Sequence, residues 1–281
     1  MPERRAASHK GDYGHVLIVA GSRGKSGAAV LAARACLRSG AGLVTVAAPA
    51  SVQSIIAAGV PEAMTEPLPE TATGTLARSA ADRILALLRS RHVLAAGPGI
   101  GTDPVTSEVV RTIVRDAGRP MVLDADALNI LSSIGRATIG SPAVLTPHPG
   151  EAAKLLGITV ARVQGDRLGA ARTVASDRSC TVILKGYRTL VASADGSVRV
   201  NSTGNPGMST GGSGDALTGI AAAWLAQGLS PFDSASLATY AHGLAGDLAA
   251  EALGEIALTA GDIISHLPPA YLSMAPGQRR A

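Results

Sequence analysis

The chain has 281 residues, of which 46% are hydrophobic, 16% charged and only 2% aromatic. That composition excludes a disordered chain and leaves the core to Ala, Val, Leu and Ile. The net charge of +4 comes wholly from the ends, through Arg4, Arg5 and Lys10 against Glu3 and through Arg279 and Arg280; with a neutral body and so few rings, no nucleic-acid partner is expected despite a pI near 9.4.

Residues 1–14 (MPERRAASHKGDYG) contain no apolar run, so no signal peptide is read there. Residues 15–20 (HVLIVA) form the first buried strand, and residues 21–26 (GSRGKS) lead into a helix over 27–39. Only two residues separate Gly21 from Gly24-Lys25-Ser26, where a Walker-type P-loop requires four, so that motif is rejected. The helix start at Gly27 and Ala28 remains either a tight turn or a place for an anionic or polar ligand group. Strand 42–47, helix 76–90 and strand 92–96 follow, the last ending in Gly97-Pro98-Gly99-Ile100-Gly101. Glycines there permit close backbone approach to a ligand, and they also make ordinary turns.

Helix 104–117 leads to strand 120–124 and the run LDADALN over 123–129. Asp124 and Asp126 would hold a metal through waters or cap the next helix, and capping is favoured for at least one of them. Strand 143–146 runs into TPHPGE, where prolines on both sides of His148 fix its backbone and lower the entropy cost of a ligand contact. The competing role for a lone histidine is structural. Helices 150–156 and 162–176 precede strand 181–185 (TVILK). Lys185-Gly186-Tyr187-Arg188-Thr189 is a strand-turn-strand whose simplest role is a hairpin turn. Strands 189–194 and 197–200 pair around Asp195-Gly196 as an antiparallel hairpin.

The most informative segment is NSTGNPGMSTGGSGD, residues 201–215, before a helix over 213–227. Gly211, Gly212 and Gly214 leave backbone N–H groups bare at a helix start, and with the helix dipole they form an anion hole suited to a phosphoryl group. Asp215 falls in the first helical turn. A cap does not need so glycine-rich an approach, so a general base for a hydroxyl is favoured. Helices over 234–253 and 259–266 complete the chain, and about 1–8 and 273–281 are read as loose tails.

Alternating, doubly apolar strands and helices predict a single α/β domain over 1–281: a three-layer sandwich with a mostly parallel central sheet. Ligand sites in such sheets lie at the carboxyl ends of the strands. Cys36 and Cys180 belong to no metal-ligand pattern and are expected as free buried thiols in a reducing cytoplasm. The most apolar long stretch, 216–229, is too short and too interrupted to cross a membrane.

GGSGD before a small-residue helix resembles the ribokinase-like superfamily. Together with SHKGDYG (8–14), the segment 20–29, GPGIG, LDADALN, LTPHPGE and the Lys185–Thr189 turn, it resembles the ADP-dependent NAD(P)H-hydrate dehydratase family over residues 8–228. The resemblance implies that NADHX or NADPHX, the hydrated and inactive form of the reduced cofactor, is restored in its S form to NAD(P)H. ADP, or alternatively ATP, would be the phosphoryl donor, with magnesium on the phosphates and AMP and phosphate as products. It implies Asp215 as base and Gly212, Ser213 and Gly214 as the anion hole. Ala28, Gly99, His148 and Asp215 would contact the hydrate, and Lys185, Gly186, Tyr187, Arg188, Thr189, Asn205 and Gly214 the nucleotide. It further implies a cytoplasmic homotetramer served by a separate NAD(P)HX epimerase, since the few residues before SHKG leave no room for an epimerase domain. The alternative within the superfamily is a small-molecule kinase for a hydroxymethylpyrimidine, hydroxyethylthiazole or pyridoxal-type alcohol, disfavoured by HPGE and GNPGM.

Overall fold

The computed structural model describes residues 1, 4–134, 139 and 141–275; Glu3, Arg279 and Arg280, which figured in the charge balance, lie outside the described residues. Nine strands, β1 (His15–Val19), β2 (Leu43–Pro49), β3 (Met64–Leu68), β4 (Val93–Ala96), β5 (Met121–Leu123), β6 (Ala143–Leu145), β7 (Thr181–Leu184), β8 (Leu190–Ala192) and β9 (Val198–Val200), form one sheet. Their order is β3-β2-β1-β4-β5-β6-β7-β8-β9. Pairing is parallel from β3 through β7 and antiparallel for the last two strands. The helices are α1 (Ser26–Arg38), α2 (Ala50–Gly59), α3 (Ala80–Leu88), α4 (Pro104–Asp116), α5 (Asp126–Ser132), α6 (Pro149–Leu156), α7 (Val160–Gly165), α8 (Arg167–Arg178), α9 (Ser213–Ala226), α10 (Pro231–Leu253) and α11 (Ala260–Met274).

The continuous apolar character of the central strands follows from cover on both faces. In β1, Val16 and Ile18 enter one apolar layer while Leu17 and Val19 enter the other. The first layer is completed by α1, α2, α9, α10 and α11, the second by α3 to α8. The expected three-layer arrangement is therefore present. The aromatic-poor core is filled as composition predicts, and Trp224 is set edge-on to Tyr271 at 5.5 Å.

Several elements depart from the sequence reading. The edge strand β3 and the helix α2 were not expected, and the helix that Asp124 or Asp126 was expected to cap, for which no bounds were given, is α5. The predicted helix over 162–176 is two helices, because the Asp166 side chain accepts the Gly169 amide at 2.7 Å and starts a new one. The last helix passes through Pro268 and Pro269 to Met274 rather than ending at 266. Residues 273 and 274 of the expected tail are thus helical, and 276–281 lie outside the described residues.

Candidate active site

The chemistry-bearing turns stand together at the carboxyl ends of the parallel strands. β1 opens into residues 20–25, β4 into 97–101, β5 into Asp124, β6 into His148 and β7 into Lys185. Strand order reverses between β1 and β4, where such sheets open a crevice. Across it the Gly21 amide donates to the Pro98 carbonyl at 2.8 Å, and Ser22 Oγ donates to the Gly99 carbonyl at 2.7 Å. A Cβ built on Gly99 would lie 3.2 Å from that of Ala28. These two sequence candidates are therefore neighbours at the start of α1.

The glycine-rich loop delivers the chain to α9. Gly212 has φ 87°, a left-handed conformation that no side chain favours, and no side chain caps the helix. Among the described residues, the amides of Gly211, Gly212, Gly214 and Asp215 donate to no acceptor. Bare donors aligned with the helix dipole make a positive hollow for phosphoryl oxygens. Asp215 stands half-buried in the first turn, and its carboxylate accepts no hydrogen bond from the described residues. Burial pushes its pKa up to about 6; the charges of Asp124 and Asp126 add to the rise and Lys185 opposes it. A carboxylate so poised is largely ionised at neutral pH yet basic enough to take a hydroxyl proton during transfer.

Behind the loop lies a buried charge network. Asp124, 1% exposed, accepts from Lys185 Nζ at 2.8 Å and from Thr218 Oγ1 of α9 at 2.8 Å. Lys185 Nζ is also 3.9 Å from Glu151 Oε2. Burial alone would lower the Lys185 ammonium, but Asp124 and Glu151 carry it above its ordinary value. Burial raises the Glu151 carboxyl, against the pull of Lys185.

The capping role expected for Asp124 or Asp126 is overturned. The N-cap of α5 is Ala125, with no side-chain hydrogen bond. Ala125 takes φ 50° and ψ −118°, and this sharp turn points the flanking carboxylates apart. Asp124 faces Lys185, while Asp126 accepts the Gly101 amide at 2.9 Å and lies 3.5 Å from Lys25 Nζ. His148 instead caps α6: its Nδ1 accepts the Gly150 amide at 2.9 Å, and its own amide donates to Glu151 Oε2 at 2.8 Å.

A cavity of about 1050 Å³ opens beside the α9 N-terminus. It is lined by His148, Lys185, Gly186, Tyr187, Arg188, Thr189, Asn205, Ser213 and Gly214 among the sequence candidates. Ala28, Gly99, Gly212 and Asp215 are not part of its lining. The candidates thus divide into a cavity group and a crevice group. Asp215, next to Gly214, feels both groups electrostatically: Lys185 favours its charged form and Asp126 opposes it.

Thr218 and His242 were not singled out in the sequence. His242, on α10, lines the cavity and places Nε2 3.3 Å from Ser213 Oγ. Burial pushes its ring down to about 4, so it is neutral. Both residues sit in helices of small residues, where a polar side chain among alanines was the only available signal.

Among the described residues, no group of three or more His, Cys, Asp or Glu side chains converges on a metal position. No helix among them is long and apolar enough to cross a membrane. Cys36 and Cys180 are free and buried.

The sequence model of a family described as NAD(P)H-hydrate dehydratase matches residues 16–269. The bifunctional NAD(P)H-hydrate repair enzyme Nnr of Moorella thermoacetica is 50% identical over 270 residues, covering 95% of this chain and 51% of that protein. The ADP-dependent (S)-NAD(P)H-hydrate dehydratase of Neisseria meningitidis is 41% identical over 267 residues, covering 92% of this chain and 86% of that protein. The chain thus spans about half the length of the bifunctional relative. Among solved structures, the ADP/ATP-dependent NAD(P)H-hydrate dehydratase of Bacillus subtilis, co-crystallised with ATP and magnesium, superposes with a TM-score of 0.86. It is 30% identical, with 98% of this chain and 95% of that one covered.

Proposed function

Since the chain belongs to the NAD(P)H-hydrate dehydratase family and carries its ribokinase-like fold, we propose that it uses ADP to dehydrate S-NADHX and S-NADPHX back to NADH and NADPH. The observation that carries this reading is the pairing of unfilled amides at the α9 start with an unbonded carboxylate whose pKa is about 6.

The nucleotide occupies the cavity with its terminal phosphoryl group toward Gly212, Ser213 and Gly214. The hydrate lies in the crevice against Ala28 and Gly99 and extends to His148 in the cavity lining, its ring hydroxyl near Asp215. Asp215 takes the hydroxyl proton as that oxygen bonds to the β-phosphorus of ADP and the bond to AMP breaks. The amides of the hollow hold the charge gathering on the phosphoryl oxygens. The carbon–oxygen bond then breaks with release of phosphate. Loss of a proton from the adjacent ring carbon forms the double bond of the reduced nicotinamide.

Magnesium supplies charge neutralisation on the phosphates when bound. Among the described residues there is no closed cage for it, because Asp124 and one oxygen each of Asp126 and Glu151 already accept hydrogen bonds. The ion is therefore assigned to the nucleotide complex. The proposal includes a homotetramer, a cytoplasmic setting and an epimerase activity that supplies the S form from the R form.

The test mixes the purified protein with S-NADHX, magnesium and either ADP or ATP, and follows the near-ultraviolet band of reduced nicotinamide. The band should return only with nucleotide, faster with ADP, and Asp215→Asn should slow it by about 10²–10⁴-fold. A flat trace with both nucleotides, from folded protein, would sink the reading.

A further inference from the structure

Resting on that reading, we propose that Lys185 is a catalytic residue that meets the phosphoryl group being transferred, and not the adenosine monophosphate end of the donor. The side chain leaves β7 and turns inward, away from the exposed part of its own turn. A Cβ built on Gly214 would stand 3.4 Å from Lys185 Nζ, so the ammonium borders the amide hollow at the start of α9. Tyr187, two residues on, is 86% exposed at the cavity rim. The same turn therefore offers a rim for the base and ribose and a half-buried cation for the far phosphate.

The cation is held in place. Asp124 accepts from both Lys185 and Thr218, and so ties the ammonium to the helix whose N-terminus it borders. An ammonium has three donors. Asp124 uses one at 2.8 Å, and Glu151 at 3.9 Å is too distant for a hydrogen bond. Donors thus remain for oxygens entering beside Gly214. A point charge so placed stabilises charge that gathers on the phosphoryl oxygens, with no reorganisation at the moment of transfer.

ADP and AMP differ only by the group at issue, so their affinities form the test. By titration calorimetry, Lys185→Met should weaken ADP on the order of 10- to 100-fold while AMP changes by less than about twofold. Single-turnover phosphoryl transfer should fall further than ADP affinity does. Because Lys185→Met leaves Asp124 uncompensated, the double variant Asp124→Asn/Lys185→Met is measured beside it, and the same ADP-selective loss is expected there. Parallel losses for AMP and ADP, or no loss in the double variant, would overturn the assignment while leaving the function intact. Wild-type protein that binds neither nucleotide would overturn both.

Discussion

Asp215 sits where its own ionisation is resisted. Its ordinary pKa of 3.8 rises to about 6 because burial and two neighbouring carboxylates disfavour the charged form. A raised folded-state value means that the folded protein holds this proton more tightly than the unfolded chain. The stability this contributes is fully present below the ordinary value and is lost as pH rises through about 6. At about pH 8 the full cost is borne. Asp215→Asn should therefore raise the melting temperature by about 2–4 °C at that pH and by almost nothing near pH 4. Scanning calorimetry at the two pH values decides it: an equal gain at both, or none, contradicts the account. In the wild type the same titration should place the acid limb of turnover near pH 6. Asp215 was legible in the sequence because three neighbouring glycines, Gly211, Gly212 and Gly214, exceed what a cap needs. Its tuning was not, because Asp124 and Asp126 reach it only through the closed sheet.

Among elements, the crossing of α1 and α9 determines where the anion hollow points. The two helices meet through small residues: Ala29, Ala32, Ala33 and Cys36 on one, Ala216, Gly219 and Ile220 on the other, all buried. A Cβ on Gly219 would overlap the Ala32 carbonyl oxygen and stand 3.0 Å from the Cys36 amide. Both partners are backbone and cannot swing aside. Gly219→Ala should therefore push the helices apart, at a cost of about 2–4 kcal/mol in denaturant unfolding. Displacing the α9 start should also lower turnover more than a peripheral substitution of equal cost. Unchanged stability would show that the crossing is looser than its geometry. The small-residue spacing on both helices was visible in the sequence, but not that these two helices meet. Other elements escaped for local reasons. Strand β3 (MTEPL) carries Pro67 and an exposed Met64, and it pairs on one side only, so it lacks the apolar run of its neighbours. Helix α2 starts straight from Pro49 with no side-chain cap to announce it. Strand β1, with four consecutive buried apolar residues, was unmistakable.

At the scale of the whole molecule, the candidate site is a junction between a crevice and a cavity that the sheet topology separates. The crevice half is built by β1, β4 and their turns. The cavity half is built by the turn after β7, the loop over 201–212 and α10. The Asp124 network links them: the Asp124 amide donates to the Ala96 carbonyl of β4, and its carboxylate accepts from Lys185 of the cavity lining and from Thr218 of α9. The motifs could be read in chain order, but their division into halves depends on strand order, which no local pattern encodes. The division predicts how protection from hydrogen exchange is distributed. Adenine nucleotide should slow exchange in 185–189 and 201–215, two segments that are separated in sequence by the β8–β9 hairpin. A reduced dinucleotide, standing in for the hydrate, should slow 20–28 and 97–101 instead. The α9 amides should respond to the nucleotide first and further when both ligands are present, because the hollow closes only between them. Exchange measured by mass spectrometry with each ligand alone and together distinguishes this from uniform tightening. If either ligand protected all four segments equally, binding would be acting through global stability. The two halves would then not be separate sites meeting at Asp215.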